Sequence, residues 1–181
     1  FPSAMIPLKS VETISDIVKG DVSAEVVSTD FNGIIAEGKK LAAINSNIIV
    51  KVPMIKEGVK AIKWFTDNGI ATNCTLCFSA GQAILAAKVG AKYISPFIGR
   101  IDDSGWDGIE LIAQIANIYA IQGFETQILA ASIRSALHIV KCAEAGANVV
   151  TSPLEPILGL LKHPLTDIGL AKFLADAKGT K

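Results

Sequence analysis

Features that would mark a secreted, membrane-spanning or nucleic-acid-binding chain are scarce in this sequence. Cysteine is rare: Cys74, Cys77 and Cys142 are the three in 181 residues. They are too few and too irregularly spaced for a disulfide framework, which points to a reducing compartment. No apolar run approaches the ~18 residues of a membrane span, and no signal-peptide pattern opens the chain, so a cytoplasmic location is expected. Neither sign of charge prevails, with 17 basic and 17 acidic residues. No Lys/Arg stripe breaks that balance, which removes the electrostatic case for nucleic acid or a membrane surface. The two histidines, His138 and His163, have no second ligand at metal spacing and read as surface or capping residues. Small molecules and copies of the chain itself remain as partners.

Hydrophobic residues are plentiful, at 50% of the chain. That is enough for one substantial core, so residues 1–181 read as a single domain. Short β-rich runs alternate with longer segments of helical apolar spacing, the pattern of βα units around a parallel sheet. Strands are expected over Val22 to Ser28, Asn47 to Pro53, Ala71 to Phe78, Ala91 to Ile98, Glu125 to Ile133 and Asn148 to Pro153. Helices are expected over Met5 to Lys19, Glu57 to Asn68, Ser79 to Val89, Gly105 to Gln122 and Arg134 to Ala145. Gly69, Gly90, Gly123 and Gly146 stand where a left-handed cap would close a helix before the next strand.

Such a series builds either a doubly wound open sheet or a closed (β/α)8 barrel. No G-x-G-x-x-G follows a strand and no G-x-x-x-x-G-K-[ST] occurs, so the nucleotide-binding open sheets lose their main support. The barrel predicts polar residues from several strands converging on one site. They are here: Glu25, Lys51, Asn73 with Thr75, Ser95, and Ser132 each interrupt an apolar run. The period of two puts Asn73 and Thr75 on one face. Lys51 is the most informative, because it stands inside Ile48-Ile49-Val50-Lys51-Val52, where an ammonium costs several kcal/mol unless paired or neutral. Six strands do not close an eight-stranded barrel. The first strand, first helix and second strand of a (β/α)8 fold are therefore expected ahead of Phe1, on the order of 30 to 40 residues at ~30 per βα unit.

An amine among hydroxyls, an amide and a carboxylate suits Schiff-base chemistry. Desolvation favours the neutral lysine, which attacks a ketone, and the resulting iminium is an electron sink for C–C cleavage. Glu25 is the candidate acid/base with Thr75 as its hydroxyl partner through a water; otherwise Glu25 forms a plain salt bridge that keeps Lys51 charged. Arg134 follows Ser132 and Ile133, and Arg100 follows Ser95-Pro96-Phe97-Ile98-Gly99. Arginine with a hydroxyl at a strand-to-helix junction fits a phosphate, though Arg100 reads almost equally as a solvated charge.

Val50-Lys51-Val52-Pro53, Thr72-Asn73-Cys74-Thr75-Leu76-Cys77-Phe78-Ser79, Ile94-Ser95-Pro96-Phe97-Ile98-Gly99-Arg100 and Ala130-Ala131-Ser132-Ile133-Arg134 resemble the motifs of the transaldolase family. The closest likeness is to its small-subunit branch, shared with the fructose-6-phosphate aldolases, and it extends to His163-Pro164-Leu165-Thr166-Asp167. The resemblance implies a class I enzyme without metal or other cofactor. Such an enzyme moves a dihydroxyacetone unit between ketose and aldose phosphates, in the pentose phosphate pathway. It makes Lys51 the imine former, Glu25 and Thr75 the acid/base pair, Asn73 and Ser95 binders of substrate hydroxyls, and Ser132 with Arg134 the phosphate grip, with Phe97 and Arg100 beside the substrate. The aldolases tend to carry glutamine in place of Glu25 and tyrosine in place of Phe97, so this sequence resembles the transaldolases more. The family's catalytic aspartate, on its first strand, and its Thr-Asn-Pro motif, on its second, are not among these residues. Simple aldolase activity and a non-catalytic barrel kept for assembly are the alternatives.

Cys74 and Cys77 have C-x-x-C spacing, but on a regular strand residues three apart face opposite ways, so they read as packing residues. Trp106 reads equally as a lining of the site's mouth or as rim packing. The segment from about 165 to 178 has helical apolar spacing. In the resembled branch such a helix packs on a neighbouring subunit of a ring-like homo-oligomer, of which a decamer is one form.

Overall fold

The computed structural model describes residues 7–179. Helix α1 (Leu8–Ile17) comes first, and then strands and helices alternate: β1 (Val22–Glu25), α2 (Phe31–Ala42), β2 (Ile48–Pro53), α3 (Lys56–Asp67), β3 (Thr72–Cys77), α4 (Ala80–Lys88) and β4 (Tyr93–Pro96). The chain continues through α5 (Ile98–Asp103), α6 (Gly108–Gln122), β5 (Gln127–Ala130), α7 (Ala136–Glu144), β6 (Val149–Val150), α8 (Leu154–Gly159) and α9 (Pro164–Gly179). The strands form one parallel sheet in sequence order. They are consecutive staves of the (β/α)8 design the sequence predicts.

The sheet curls, and side chains show by how much. Tyr93, on β4, donates its hydroxyl to Asp21, just ahead of β1, at 2.8 Å. In a flat sheet those strands would lie about 14 Å apart, three spacings of about 4.8 Å. Burial and the neighbouring Asp21 carboxylate push the Tyr93 phenol up to about 12. On the convex side Val50, Val52, Cys74, Ile94 and Ile128 pack with Ile34, Phe65, Ala83, Ile112 and Ile115 from the helices. This is the main core. Strand alternation turns Lys51, Asn73 and Ser95 to the concave side.

Four helices start on short polar caps. Asp30 accepts from Gly33 N, Ser79 from Gln82 N, Asp107 from Ile109 N and Glu110 N, and Ser135 from His138 N. Each satisfies helix donors that no backbone carbonyl reaches. The four glycines expected to end helices all lie at positive φ, from 64° to 99°. Among the described residues no helix is long and apolar enough to cross a membrane.

Several expected boundaries are corrected. The first strand ends at Glu25 rather than Ser28, because the Glu37 carboxylate takes Val27 N, Ser28 N and the Ser28 hydroxyl. Burial works against the Glu37 charge, but those hydrogen bonds outweigh it and hold the carboxyl below its ordinary range. The last strand shrinks to Val149–Val150. Residue 98, expected in a strand, opens α5, and the helix expected from Gly105 begins at Gly108. Met5, expected to start the first helix, lies outside the described residues.

Candidate active site

The concave face of β1–β4 carries the first group of candidate residues. Glu25, Lys51 and Asn73 are register partners on three adjacent strands. Lys51 Nζ donates to Glu25 Oε2 at 3.0 Å, with side chains 25% and 48% exposed. The salt bridge left open by the sequence is therefore formed. So solvated a pair contributes little stability, about 0–1 kcal/mol, and a ligand that separates the partners meets little resistance.

The Asn73 amide is held from both ends. Its carbonyl oxygen accepts the buried Ser95 hydroxyl at 2.7 Å, and its amide nitrogen donates to Ser23 Oγ at 3.1 Å. Ser23 was missed in the sequence, although its spacing of two from Glu25 was the signal that puts both on one face. Thr75 is fully buried, and its Oγ1 has no hydrogen-bond partner. A buried hydroxyl left so is costly, and a water or substrate oxygen would relieve the cost.

Beyond Thr75 the strand is irregular. Leu76 has φ 59°, and the pairing with β4 shifts register between Cys74 and Cys77. This corrects the geometry expected of the two cysteines: the bulge turns both into the same helix-side core rather than to opposite faces. They remain packing residues. Burial pushes their thiols up to about 12 and about 11, so neither is a reactive thiolate at neutral pH.

The second group lies at the rim, after β4 and β5. Arg100 is on α5, its guanidinium stacked over the Phe97 ring at 4.9 Å, and Phe97 meets Phe78 at 5.8 Å. Ser132 has φ 60°. A non-glycine residue in that region costs about 1–2 kcal/mol. The Arg134 guanidinium pairs with Asp103 at 2.6 Å. Asp103 was another omission, since an acid in a short Asp-Asp-Ser-Gly run reads as solvated. Among the described residues no hydrogen bond or ion pair joins the rim group to Lys51, so the nine candidates form two clusters.

A groove of about 1040 Å³ is lined by Arg100, Ile101, Trp106, Glu110, Gln114 and their neighbours, but not by Lys51, Glu25 or Asn73. It flanks the rim. Trp106, 77% exposed, stands in its wall rather than in a core. His163 acts as a cap, its Nδ1 accepting Leu165 N at 3.2 Å.

Known proteins resolve the family. Residues 4–180 match the transaldolase/fructose-6-phosphate aldolase family. The chain belongs to that family. It is 64% identical over 170 residues to a probable transaldolase of Cytophaga hutchinsonii, covering 94% of this chain and 78% of the relative. A probable transaldolase of Phocaeicola vulgatus is 63% identical over 165 residues, 91% of this chain and 76% of that one.

Among solved structures, an inosine 5'-monophosphate dehydrogenase from Legionella pneumophila superposes with a TM-score of 0.58 at 17% identity, over 80% of this chain and 47% of that one. A mandelate oxidase variant gives 0.57 at 14% identity, over 78% and 51%. The chain spans about half the length of each, and at that identity the likeness concerns the fold alone.

Proposed function

We propose that the chain is a transaldolase that transfers a dihydroxyacetone unit from sedoheptulose 7-phosphate to glyceraldehyde 3-phosphate. The products are erythrose 4-phosphate and fructose 6-phosphate. The observation that carries this reading is the alignment of Glu25, Lys51 and Asn73 on three adjacent strands, with Ser95 bonded to Asn73. Family membership and the names of the relatives support it.

Glu25 takes the proton of the Lys51 ammonium across the 3.0 Å pair, and the neutral amine attacks C2 of the ketose. The carbinolamine loses water with a proton from the same carboxyl, giving an iminium. The C3–C4 bond breaks, its electron pair passing to the iminium nitrogen. The C4 hydroxyl loses its proton to a base, a role the resembled family gives to an aspartate on its first strand. The enamine adds to the aldehyde carbon of the acceptor, whose oxygen is protonated, and hydrolysis of the new imine restores Lys51. Thr75, whose hydroxyl has no protein partner, holds the water this relay needs. Asn73 and Ser95 bind substrate hydroxyls, while Ser132 and Arg134 hold the phosphate, displacing Asp103. Phe97 lines the site with a ring that has no hydroxyl to protonate the enamine, which favours transfer over release.

Fructose 6-phosphate with erythrose 4-phosphate is expected to yield sedoheptulose 7-phosphate. Free dihydroxyacetone as the main product would make the protein a fructose-6-phosphate aldolase. No turnover of either kind by the full-length protein would leave the non-catalytic barrel.

The chain also forms a homo-oligomer through α9. That helix has no buried residue, and Leu165, Ile168, Leu170, Phe173 and Leu174 are 53% to 75% exposed. So much exposed apolar surface on one helix calls for a partner. In sedimentation velocity the full chain should run as a multimer, and deletion from Pro164 onward should lower its mass several-fold. A monomeric full-length chain would refute this.

A further inference from the structure

Both ring nitrogens of His138 stand against polar groups. Nδ1 accepts the backbone N–H of Arg134 at 3.3 Å. Nε2 lies 3.3 Å from Asp102 Oδ2. An accepting Nδ1 leaves Nε2 as the ring's other polar edge, turned toward the Asp102 carboxylate. The other oxygen of Asp102 accepts the Gly108 N–H at 2.9 Å, which anchors the carboxylate to the first residue of α6. Close polar contacts therefore link the start of α6, Asp102, His138 and the Arg134 amide.

The stretch they end on is held from several sides, with Ile133 buried in the main core and α5 packed closely against Ser132. Ala131 is tied to β4 and α5 by Ala131 N to Pro96 O at 2.9 Å and Ile98 N to Ala131 O at 3.1 Å. Ser132 then adopts its left-handed conformation. Two residues on, Arg134 N donates to the imidazole. Adjacent residues of α5 thus divide the work: Asp103 holds the Arg134 guanidinium, and Asp102, through His138, holds its backbone.

We propose that His138, whose Nδ1 accepts the Arg134 N–H, is a positioning residue for the 132–134 turn and sets its affinity for the substrate phosphate. This rests on the reading of Arg134 as the phosphate-gripping residue. Losing the imidazole acceptor frees the Arg134 amide and lets the turn leave its strained shape.

The test uses the full chain, fructose 6-phosphate as donor at fixed erythrose 4-phosphate as acceptor, and inorganic phosphate as competitive inhibitor. His138→Asn can place its side-chain oxygen where Nδ1 stands but cannot reach Asp102. His138→Gln reaches toward Asp102 and leaves the Arg134 amide without its acceptor. For the loss of one such hydrogen bond, His138→Gln should raise the phosphate inhibition constant and the fructose 6-phosphate KM by about three- to tenfold, with the loss falling on KM rather than kcat. His138→Asn should recover most of that loss. Equal constants for the two variants, or a loss in kcat alone, would overturn the proposal. Arg134→Ala separates the premises: if it leaves the phosphate constant unchanged, the phosphate reading itself fails. If Arg134→Ala weakens phosphate and His138→Gln does not, only the role of His138 fails.

Discussion

Lys51→Met is expected to abolish the borohydride-stable adduct formed with fructose 6-phosphate and to lower kcat by on the order of 10^4-fold or more. The amine is the atom that becomes covalently bound, and no neighbouring group replaces it. Methionine matches the lysine stem in length and suits the β-branched run around it, with Val50 and Val52 fully buried on either side. Glu25 loses its partner but remains half in water, so its carboxylate is not stranded, and the melting temperature should change little. Lys92 is another lysine on this side of the sheet. It is tied to Asp21, ahead of the start of β1, while Lys51 pairs with Glu25 at that strand's end. Mass spectrometry of the trapped protein locates the adduct. A reduced dihydroxyacetone unit still present in Lys51→Met, on Lys92 or elsewhere, would remove Lys51 from its proposed role.

Gly99→Ala should weaken inorganic phosphate by about 10- to 100-fold and destabilise the fold by about 1–3 kcal/mol. A Cβ at position 99 would stand 2.2 Å from the backbone oxygen of Ser132 and 2.7 Å from Arg134 Nε. A backbone oxygen cannot turn aside as a side chain does, so α5 or the 132–134 turn must move, and with it the proposed phosphate grip. Gly81→Ala is the matched control: it too lies in a helix, but its nearest neighbour would be Ser79 Oγ at 3.9 Å. It should be neutral or stabilising by a few tenths of a kcal/mol to about 1 kcal/mol. Melting temperature and the phosphate inhibition constant decide the matter. A Gly99→Ala protein that matches its parent in both would show that the close approach of α5 to the turn is not what shapes the rim.

Much of the architecture was legible because it rests on local patterns. β2 is a run of Ile and Val bounded by Asn47 and Pro53, and β-branched residues buried on both faces have few other places to go. The helix-ending glycines could be read because only glycine takes the left-handed cap without penalty. α5 was not legible. Ser95-Pro96-Phe97-Ile98 continues the strand pattern without a break, and Ile98, fully buried, is as apolar as a strand residue. α8 is not among the helices expected from the sequence, and Pro153, expected to end the last strand, stands at its N-cap. Pro156 is the third residue of that helix, where its missing N–H would have had no helical partner in any case.

The sequence alone determined the order of the strands, the residues that interrupt them, and the two motifs from which a lysine nucleophile and an arginine anion grip are read. These follow from periodicity, turn chemistry and the cost of burying charge, all of which act over a few residues. The tertiary structure decided which polar groups meet. Ser23 reaches Asn73 across 50 residues, Asp103 reaches Arg134 across 31, and Asp102 comes within 3.3 Å of a ring nitrogen of His138. Those contacts exist because the sheet curls and because α5 turns back over the end of β5, and no local pattern encodes the curvature that brings them within hydrogen-bonding distance.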